Sequence, residues 1–332
     1  MARLLALLLV AACAGGCASS KSLMTVKVPV TDLRGQPNTA ATLAAHDPLQ
    51  ETQLLYGEQV KVVKKSEGWV QVEALEQQEF SHAKRWQGYP GWVPAATLVP
   101  WDAFLSPTIV VTAKWAQGLN EPYASTPSSW RFPLGTRLRA TDMGGAFWMV
   151  ELVDGGDAVY LRAGDARSLR SLEEATADER RQLIVRSAER LLGDGYFWGG
   201  RSPQAPEWGG RSPQAADASL RVSGVDCSGL TNLAYRAAGV DIPRDAHEQF
   251  LRATPVEMLR PGDLLFLSER GDPKRIVHVM LYAGGDALIE GPGTGLAVRR
   301  IAVSERLGRP VGQLARGTVV DGQTVTFGSF VQ

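Results

Sequence analysis

The alternation of hydrophobic and polar positions divides the chain into two β-rich segments and one mixed segment. Over residues 26–100, short runs rich in β-branched residues, such as 60–63 and 69–72, are separated by glycines. This is the pattern of short strands joined by tight turns. Residues 104–170 repeat the pattern more weakly. The hydrophobic pattern therefore predicts two small all-β units in tandem.

Residues 174–330 mix helical and strand periodicities. Thr176 and Glu179 have the spacing of a capping box, and the apolar positions after them predict a helix over 177–192 that ends at Gly193. Strand character then recurs in three short runs, at 264–267, 277–282 and 287–290. Helices followed by antiparallel strands predict an α+β domain.

The most informative position of this domain is a cysteine where a turn passes into a helix. Cys227 precedes an apolar stripe of helical spacing that ends before Gly239, which places it in a first helical turn. Free backbone N–H groups and the helix dipole favour a thiolate there. A lone cysteine is more often a buried structural residue. The polar neighbours Asp226 and Ser228 favour a nucleophile here.

A histidine supplies the base that a cysteine nucleophile requires. His278 lies on the polar face of a predicted strand whose other face carries Val277, Val279 and Leu281. Glu290 stands near the end of the next strand. Because neighbouring antiparallel strands bring these positions together, we expect the carboxylate to orient the imidazole, as in other triads. A structural histidine and a surface glutamate are the plainer alternatives.

Composition narrows the function further. The 332 residues contain 35 basic and 35 acidic side chains with no basic block, so the electrostatic footprint of a nucleic-acid-binding protein is missing. Of three cysteines, only Cys227 lies in the globular part, which favours a reactive thiol over a disulfide framework. One cysteine and scattered histidines do not form a zinc ligand set, and we predict no metal or organic cofactor.

The amino-terminal segment has the features of a targeting sequence. An apolar run too short to span a bilayer follows Arg3, and small residues then lead to Cys17. Residues 1–16 resemble a bacterial lipoprotein signal, with lipid attached to Cys17 or to Cys13 and a tether over 17–25. The resemblance implies a periplasmic protein anchored by lipid to a membrane, with the outer membrane favoured. An ordinary secreted protein cleaved elsewhere in this segment is the alternative.

An eight-residue sequence occurs twice in the third segment. Trp-Gly-Gly-Arg-Ser-Pro-Gln-Ala stands at 198–205 and again at 208–215. Two copies cannot occupy one site, so we expect a tandem duplication with one copy in an extruded loop. The duplication lengthens the connection between Tyr196 and Cys227, and it therefore bears on the width of any cleft there.

Several motifs together resemble the NlpC/P60 cysteine peptidases of bacterial cell walls. They are Asp-Cys-Ser-Gly-Leu at 226–230, Pro-Gly-Asp-Leu-Leu-Phe at 261–266, and His-Val-Met-Leu-Tyr-Ala-Gly at 278–284, with Tyr-Phe-Trp-Gly-Gly-Arg-Ser-Pro at 196–203 upstream. The two β units ahead of them resemble bacterial SH3-like barrels. The whole resembles the γ-D-glutamyl-L-diamino-acid endopeptidases. This implies two SH3-like barrels followed by an α+β papain-like domain that acts on peptidoglycan stem peptides or muropeptides.

The resemblance also implies a role for each matching residue. Cys227 is the nucleophile and His278 the base. Glu290 stands where the family usually has a second histidine, a departure that should raise the pKa of His278. Six further positions are implied in substrate binding: Tyr196 beside the oxyanion, Asp226 and Ser228 on polar substrate groups, and Asp245, Glu58 and Tyr89 around the free amine of an N-terminal L-Ala.

Hydrolysis of the amide between γ-D-Glu and a diamino acid is the expected reaction. Two other functions stay open. A non-catalytic wall-binding lipoprotein is suggested by Glu290 and by the duplication, and loss of thiol alkylation would support it. An amide or acyl transferase on the same fold would use the same thioester, and a product carrying an added amine would reveal it.

Overall fold

The structure is a computed structural model that describes most of the chain. The described residues are 22–38, 46–123, 126–204 and 224–332. The predicted lipidation sites Cys17 and Cys13, the signal 1–16 and the second copy of the duplicated sequence lie outside these residues. Within them, no helix is long and apolar enough to cross a membrane.

The first β unit is a seven-stranded antiparallel sheet with the strand order β3-β2-β6-β5-β4-β1-β7. Its strands share one apolar core, in which Val26, Leu33 and Val72 are fully buried. The long β5 and β6 form a hairpin at its centre. The strands are β1 (Leu23–Val26), β2 (Val30–Arg34), β3 (Gln50–Leu55), β4 (Gln59–Ser66), β5 (Trp69–Glu79), β6 (Gln87–Pro94) and β7 (Leu98–Pro100).

The second β unit consists of a five-stranded and a three-stranded antiparallel sheet around a separate core. The larger sheet has the order β10-β9-β14-β13-β12, and the smaller one has the order β11-β8-β15. The strands are β8 (Ile109–Val111), β9 (Trp115–Leu119), β10 (Pro127–Pro133), β11 (Arg137–Leu138), β12 (Ala140–Asp142), β13 (Phe147–Val150), β14 (Val159–Arg162) and β15 (Ala166–Ser168).

The third unit packs helices against an antiparallel sheet of order β18-β24-β19-β20-β21-β22, to which β23 adds beside β24. Its helices are α1 (Leu169–Glu173), α2 (Ala177–Glu189), α3 (Cys227–Ala237), α4 (Ala246–Arg252) and α5 (Val303–Leu307). Its strands are β16 (Arg201–Ser202), β17 (Gly224–Val225), β18 (Thr254–Pro255), β19 (Leu264–Glu269), β20 (Asp272–Gly284), β21 (Ala287–Glu290), β22 (Arg299–Ala302), β23 (Val319–Val320) and β24 (Gln323–Ser329).

The helix predicted over 177–192 is present but shorter. Thr176 caps α2, since its hydroxyl accepts from the Glu179 N–H while the Glu179 carboxylate accepts from the Thr176 N–H. The helix ends at Glu189. Leu192, expected on the buried face, is 37% exposed because it lies beyond the last helical turn.

A β-bulge alters the predicted facing of one residue of β20. Leu267 pairs with His278, whereas its neighbour Ser268 pairs with Ile276, so Val277 has no partner across the ladder. An extra residue in one strand interrupts the alternation of faces. Val277, expected on the buried face, is 44% exposed, whereas Val279 is fully buried as expected.

The first sheet packs directly against the third unit through polar groups that are almost completely buried. The Gln53 side chain accepts from the Arg201 backbone N–H at 2.9 Å, and the Arg244 guanidinium donates to Thr52 Oγ1 at 2.6 Å. The Arg244 backbone N–H also donates to the Gln78 carbonyl. Buried polar groups require such partners, so these contacts fix strand β3 and the end of β5 against β16 and the segment before α4.

Candidate active site

The start of helix α3 presents the cysteine. Asp226 is the N-cap residue, and its Oδ1 accepts from the Gly229 N–H at 2.6 Å. Gly229 packs so closely on the 199–200 turn that a Cβ there would lie 2.1 Å from the Gly200 carbonyl oxygen. The Asp-Cys-Ser-Gly sequence therefore combines a cap with a close backbone approach. Cys227 follows as the first helical residue and is a free thiol.

Three side chains from three elements lie in a row. His278 on β20 donates from Nε2 to Glu290 Oε2 on β21 at 2.9 Å, and the Cys227 thiol is close enough to the same ring to interact with it. Because Nε2 faces the carboxylate, Nδ1 is the nitrogen that serves the sulfur. Glu290 was expected beside His278, and the pairing of β20 with β21 brings the two together.

The charges of these three side chains favour an imidazolium at His278, with Cys227 on one side and Glu290 on the other. Burial alone lowers the pKa of His278, but its hydrogen bonds and charge interactions with Cys227 and Glu290 outweigh burial and raise that pKa to about 9. Burial raises the pKa of Glu290, but bonds from His278 and Arg299 and the charge of Arg306 lower it to about 2. Glu290 is fully buried and ionised.

Cys227 opens into a cleft of about 760 Å³ that two parts of the chain build together. The first sheet and its β5–β6 hairpin form one wall, from which Gln50, Glu51, Ser81, Lys84 and Tyr89 face the cleft. The opposite wall comes from the third unit and includes Tyr196, Trp198, Asp226, Ser228, Asp245, Glu248, His278 and Arg306. The cleft is thus not a property of the third unit alone.

A buried arginine organises the cysteine side of the cleft. The Arg244 guanidinium donates to both oxygens of Asp226, at 3.1 and 2.8 Å, and to Ser228 Oγ at 2.9 Å. Asp226 also accepts from the Gly199 N–H. Its carboxylate is therefore saturated by protein donors, which assigns it a capping and orienting position beside the nucleophile. The substrate contacts expected of Asp226 and Ser228 stay a prediction.

An acidic pocket lies beside this arginine. The Tyr89 hydroxyl donates to Asp245 Oδ2 at 2.9 Å across the cleft. Glu51 lies on the same wall as Tyr89. Burial and the nearby Glu248 and Asp226 charges raise the pKa of Asp245 to about 6, although Arg244 opposes them. Asp245 and Tyr89, which the family resemblance placed together around the substrate amine, are in direct contact.

The structure corrects the placement of Glu58. This residue was expected in the amine pocket, but it is 1% exposed and does not line the cleft. Its Oε1 lies 2.8 Å from Arg201 Nη1, and its Oε2 accepts from Gln77. Its carboxylate is therefore committed to the contact between the first sheet and the third unit. Glu51 supplies the acidic group on that wall instead.

Tyr196 lies at the cleft beside the nucleophile, as the motif predicted. Burial and the negative charges of Cys227 and Asp226 raise the pKa of its phenol, so the hydroxyl stays protonated and can donate. The predicted role beside the oxyanion is not tested by these contacts. Among the described residues, no group of three or more His, Cys, Asp or Glu side chains is placed to hold a metal ion.

Sequence reasoning missed several residues of the site. Arg244 stands in the same Pro-Arg-Asp motif from which Asp245 was chosen, so a signal for it existed. Arg299 and Arg306 had no sequence signal, because the burial of Glu290, which calls for paired cations, is seen only in the fold. Glu51 had no local signal, since only the fold of the first sheet brings it to the cleft.

Comparison with known protein families agrees with this site. Residues 193–307, which contain Cys227, His278 and Glu290, match the NlpC/P60 family. The chain therefore carries an NlpC/P60 domain, the domain of a family of cysteine peptidases that includes peptidoglycan endopeptidases.

Individual relatives extend the similarity beyond this domain. The chain is 28% identical over 263 residues to a γ-D-glutamyl-L-lysine dipeptidyl-peptidase of Bacillus subtilis (strain 168), covering 79% of this chain and 78% of the relative. It is 31% identical over 142 residues to the peptidoglycan endopeptidase RipB of Mycobacterium tuberculosis (strain ATCC 25618 / H37Rv), covering 42% and 55%. The crystal structure of an NlpC/P60 family protein from Bacillus cereus ATCC 10987 has the same fold, with a TM-score of 0.71, 23% identity, and coverage of 94% and 100%.

Proposed function

We propose that this protein is a cysteine endopeptidase that hydrolyses the amide between γ-D-Glu and a diamino acid in peptidoglycan stem peptides with a free N-terminal L-Ala. One observation carries the proposal. The side chains of Cys227, His278 and Glu290 lie in a row at a cleft. Beside the nucleophile, this cleft has an acidic pocket formed by Asp245, Tyr89 and Glu51.

The reaction follows from the positions of these groups. The Cys227 thiolate attacks the γ-carbonyl carbon, and the oxyanion that forms accepts hydrogen bonds from the start of α3 and from Tyr196. His278 gives its Nδ1 proton to the leaving amine, which departs as the diamino acid. The imidazole then takes a proton from water, whose oxygen attacks the γ-glutamyl thioester. The C–S bond breaks, the γ-glutamyl carboxylate product leaves, and the Cys227 thiolate and His278 imidazolium are regenerated.

The acidic pocket suits an ammonium group. An ammonium that leaves water needs paired charge, and Asp245 and Glu51 supply carboxylates on facing walls of the cleft. Arg244 bridges Asp245 and Ser228, since its Nη1 lies 3.6 Å from Asp245 Oδ1 and 2.9 Å from Ser228 Oγ. The pocket is therefore close to the nucleophile, as a short N-terminal dipeptide requires.

Blocking the substrate amine should test this pocket and the reaction together. We expect the tripeptide L-Ala-γ-D-Glu-meso-diaminopimelate to be cleaved with a kcat/KM about 10²-fold higher than its N-acetylated form, because acetylation removes the positive charge that Asp245 and Glu51 would pair. Release of free diaminopimelate, measured by mass spectrometry, gives both rates. Asp245→Asn should lower cleavage of the free-amine peptide and leave the acetylated one little changed.

Asp178→Asn is the matched control, since Asp178 is exposed and pairs with Arg260 far from the cleft wall. It should change neither rate. Equal cleavage of the two peptides would keep the peptidase and remove the amine pocket from the proposal. Failure to cleave either peptide would favour the wall-binding function, and an amine adduct of the γ-glutamyl group would favour a transferase.

The pH dependence should follow the two shifted groups. The His278 pKa of about 9 keeps the imidazolium protonated below that pH, so kcat/KM should fall as pH rises through about 9. The Asp245 pKa of about 6 means that its charge is lost as pH falls, so binding of the free-amine peptide should weaken below about 6. Initial rates from pH 4 to 11, about two units beyond either pKa, test both limbs. The acetylated peptide has no amine that loses its proton at about pH 8, and it should also lack the limb due to Asp245. An alkaline limb near neutral pH with this acetylated peptide would contradict the proposed His278 environment.

The finer features of the organisation belong to the same proposal. The two β units are proposed as SH3-like barrels, of which the first shapes the substrate pocket. Lipid attachment at Cys17, or at Cys13, with a periplasmic location at the outer membrane, is likewise proposed from the amino-terminal sequence. Metabolic labelling with a lipid precursor in the Cys17→Ala and Cys13→Ala variants would distinguish the two sites, and absence of label in the unaltered protein would remove the anchor.

A further inference from the structure

Glu290 is held by more cations than a carboxylate of a catalytic triad needs. Arg299 donates from Nε and Nη2 to Oε1 at 3.0 and 2.7 Å, and Arg306 donates from Nε to Oε2 at 3.2 Å. Oε2 is the same oxygen that accepts from His278. Both carboxylate oxygens are therefore engaged by guanidinium groups, and the imidazole shares one of them.

The arginines come from elements separate from the triad strands. Arg299 lies on β22 directly across the ladder from Glu290, and Arg306 lies on α5 with its side chain 28% exposed at the cleft. Other charged or titratable groups also surround His278 and Glu290. They are Cys227 and Asp226 at the start of α3, Tyr196 before β16, His247 on α4 and Arg275 on β20.

The arrangement has a chemical consequence. An unpaired buried carboxylate would place two anions, itself and the Cys227 thiolate, on one imidazolium. The two negative charges would hold the imidazolium proton so firmly that His278 would be a poor acid toward the leaving amine. A neutral third residue avoids this problem. Here the two guanidinium groups offset the carboxylate charge while leaving one oxygen as a directional acceptor.

We propose that Arg299 and Arg306 are positioning residues that balance the charge of Glu290, so that a carboxylate can orient His278 in place of a neutral side chain. The three residues then act as one unit, and this inference rests on the proposed function for its catalytic readout. If these three residues act together, the effect of removing the arginines on activity should change sign with the residue at position 290. Removing the arginines harms the enzyme when residue 290 is Glu and improves it when residue 290 is Gln.

The test compares Arg299→Gln/Arg306→Gln, Glu290→Gln and the triple variant, with Arg300→Gln as control. Arg300 lies on the same strand but pairs with Glu189 on the surface. The double-arginine variant and Glu290→Gln should each lose about 10- to 100-fold in kcat/KM. The triple variant should recover about tenfold over Glu290→Gln, because it no longer leaves two cations beside the imidazolium. A triple variant less active than Glu290→Gln would overturn the proposal.

Alkylation of Cys227 by iodoacetamide supplies a readout that needs no peptide. Losing two cations destabilises the thiolate. The pH at which the alkylation rate is half-maximal, the alkylation midpoint, should therefore rise by about one pH unit in the double-arginine variant. Losing the anion should lower the midpoint in Glu290→Gln, and the triple variant should lie between the two. Arginines with a purely structural role would leave these midpoints in place. Because alkylation does not depend on the substrate, it separates failure of this inference from failure of the proposed function.

Charge-conserving variants guard against misfolding as an explanation. Arg299→Lys/Arg306→Lys keeps both positive charges and should keep the alkylation midpoint of the unaltered protein, even where weaker hydrogen bonding lowers the rate. A midpoint that moves as far with lysine as with glutamine would overturn charge balance as the cause. Thermal unfolding of each variant confirms that the measured thiol belongs to folded protein.

Discussion

Replacing Cys227 with alanine should abolish release of diaminopimelate from the free-amine tripeptide. Loss of a nucleophile that acts together with its base typically costs on the order of 10⁶-fold in kcat, because the covalent pathway disappears. Cys227→Ser should be nearly as inactive, since a serine hydroxyl beside His278 is a far weaker acid than a thiol. Mass spectrometry of the tripeptide with each variant and the unaltered protein measures the loss.

Binding should survive the same substitution. Cys227 caps no helix, and Glu290 still partners His278 when the thiol is removed. Cys227→Ala should therefore fold and bind the tripeptide with an affinity within a few-fold of the KM, as measured by calorimetry. Ser171→Ala, on the exposed surface of α1, is the control for unrelated loss. Hydrolysis by Cys227→Ala at more than about one hundredth of the normal rate would mean that another group is the nucleophile.

Replacing Arg244 with methionine should be the most destabilising single change in the site. Arg244 is fully buried and bonds Asp226, Ser228 and Thr52. Breaking a buried ion pair by removing one partner costs about 3–5 kcal/mol, because the remaining carboxylate stays buried and unpaired. The free energy of unfolding in urea measures this loss, and activity should fall with it because Asp226 caps the nucleophile helix.

Two comparisons make the Arg244 prediction specific. Asp226→Asn combined with Arg244→Met should recover part of the lost stability, since no unpaired charge then remains buried. Arg170→Gln, which removes an exposed pair with Glu174, should cost less than about 1 kcal/mol. If Arg244→Met unfolds no more readily than Arg170→Gln, the contact between the first sheet and helix α3 does not hold the site together.

Local sequence was sufficient to place the three side chains of the proposed triad. Cys227 was placed by the apolar spacing and terminating glycine of its own helix, and the capping box at Thr176 was visible in four residues. His278 and Glu290 needed only the assumption that consecutive strands pair in antiparallel fashion. Each of these inferences depends on interactions within one element or between neighbours in sequence, which is where periodicity is informative.

Features that depend on distant pairings were not accessible in this way. Glu58 and Glu51 are both acidic residues of the first sheet, and only the packing of β3 against β16 decides that Glu58 meets Arg201 while Glu51 faces the cleft. The bulge at Val277 depends on the register in which β19 pairs with β20, which shifts between Leu267 and Ser268. Neither the sequence near Glu58 nor that near Val277 contains a signal for these outcomes.

The shared construction of the cleft has a consequence for protein engineering. Cys227 and His278 belong to one unit of the chain, whereas one wall of the cleft they line belongs to another. A fragment trimmed to the 174–330 unit would lose that wall and would expose the buried guanidinium of Arg244 to water. Conversely, exchanging the loops of the first sheet offers a route to new substrate preferences in which the catalytic chemistry is left untouched. The boundary between these units is therefore a poor place to truncate the protein and a good place to diversify it.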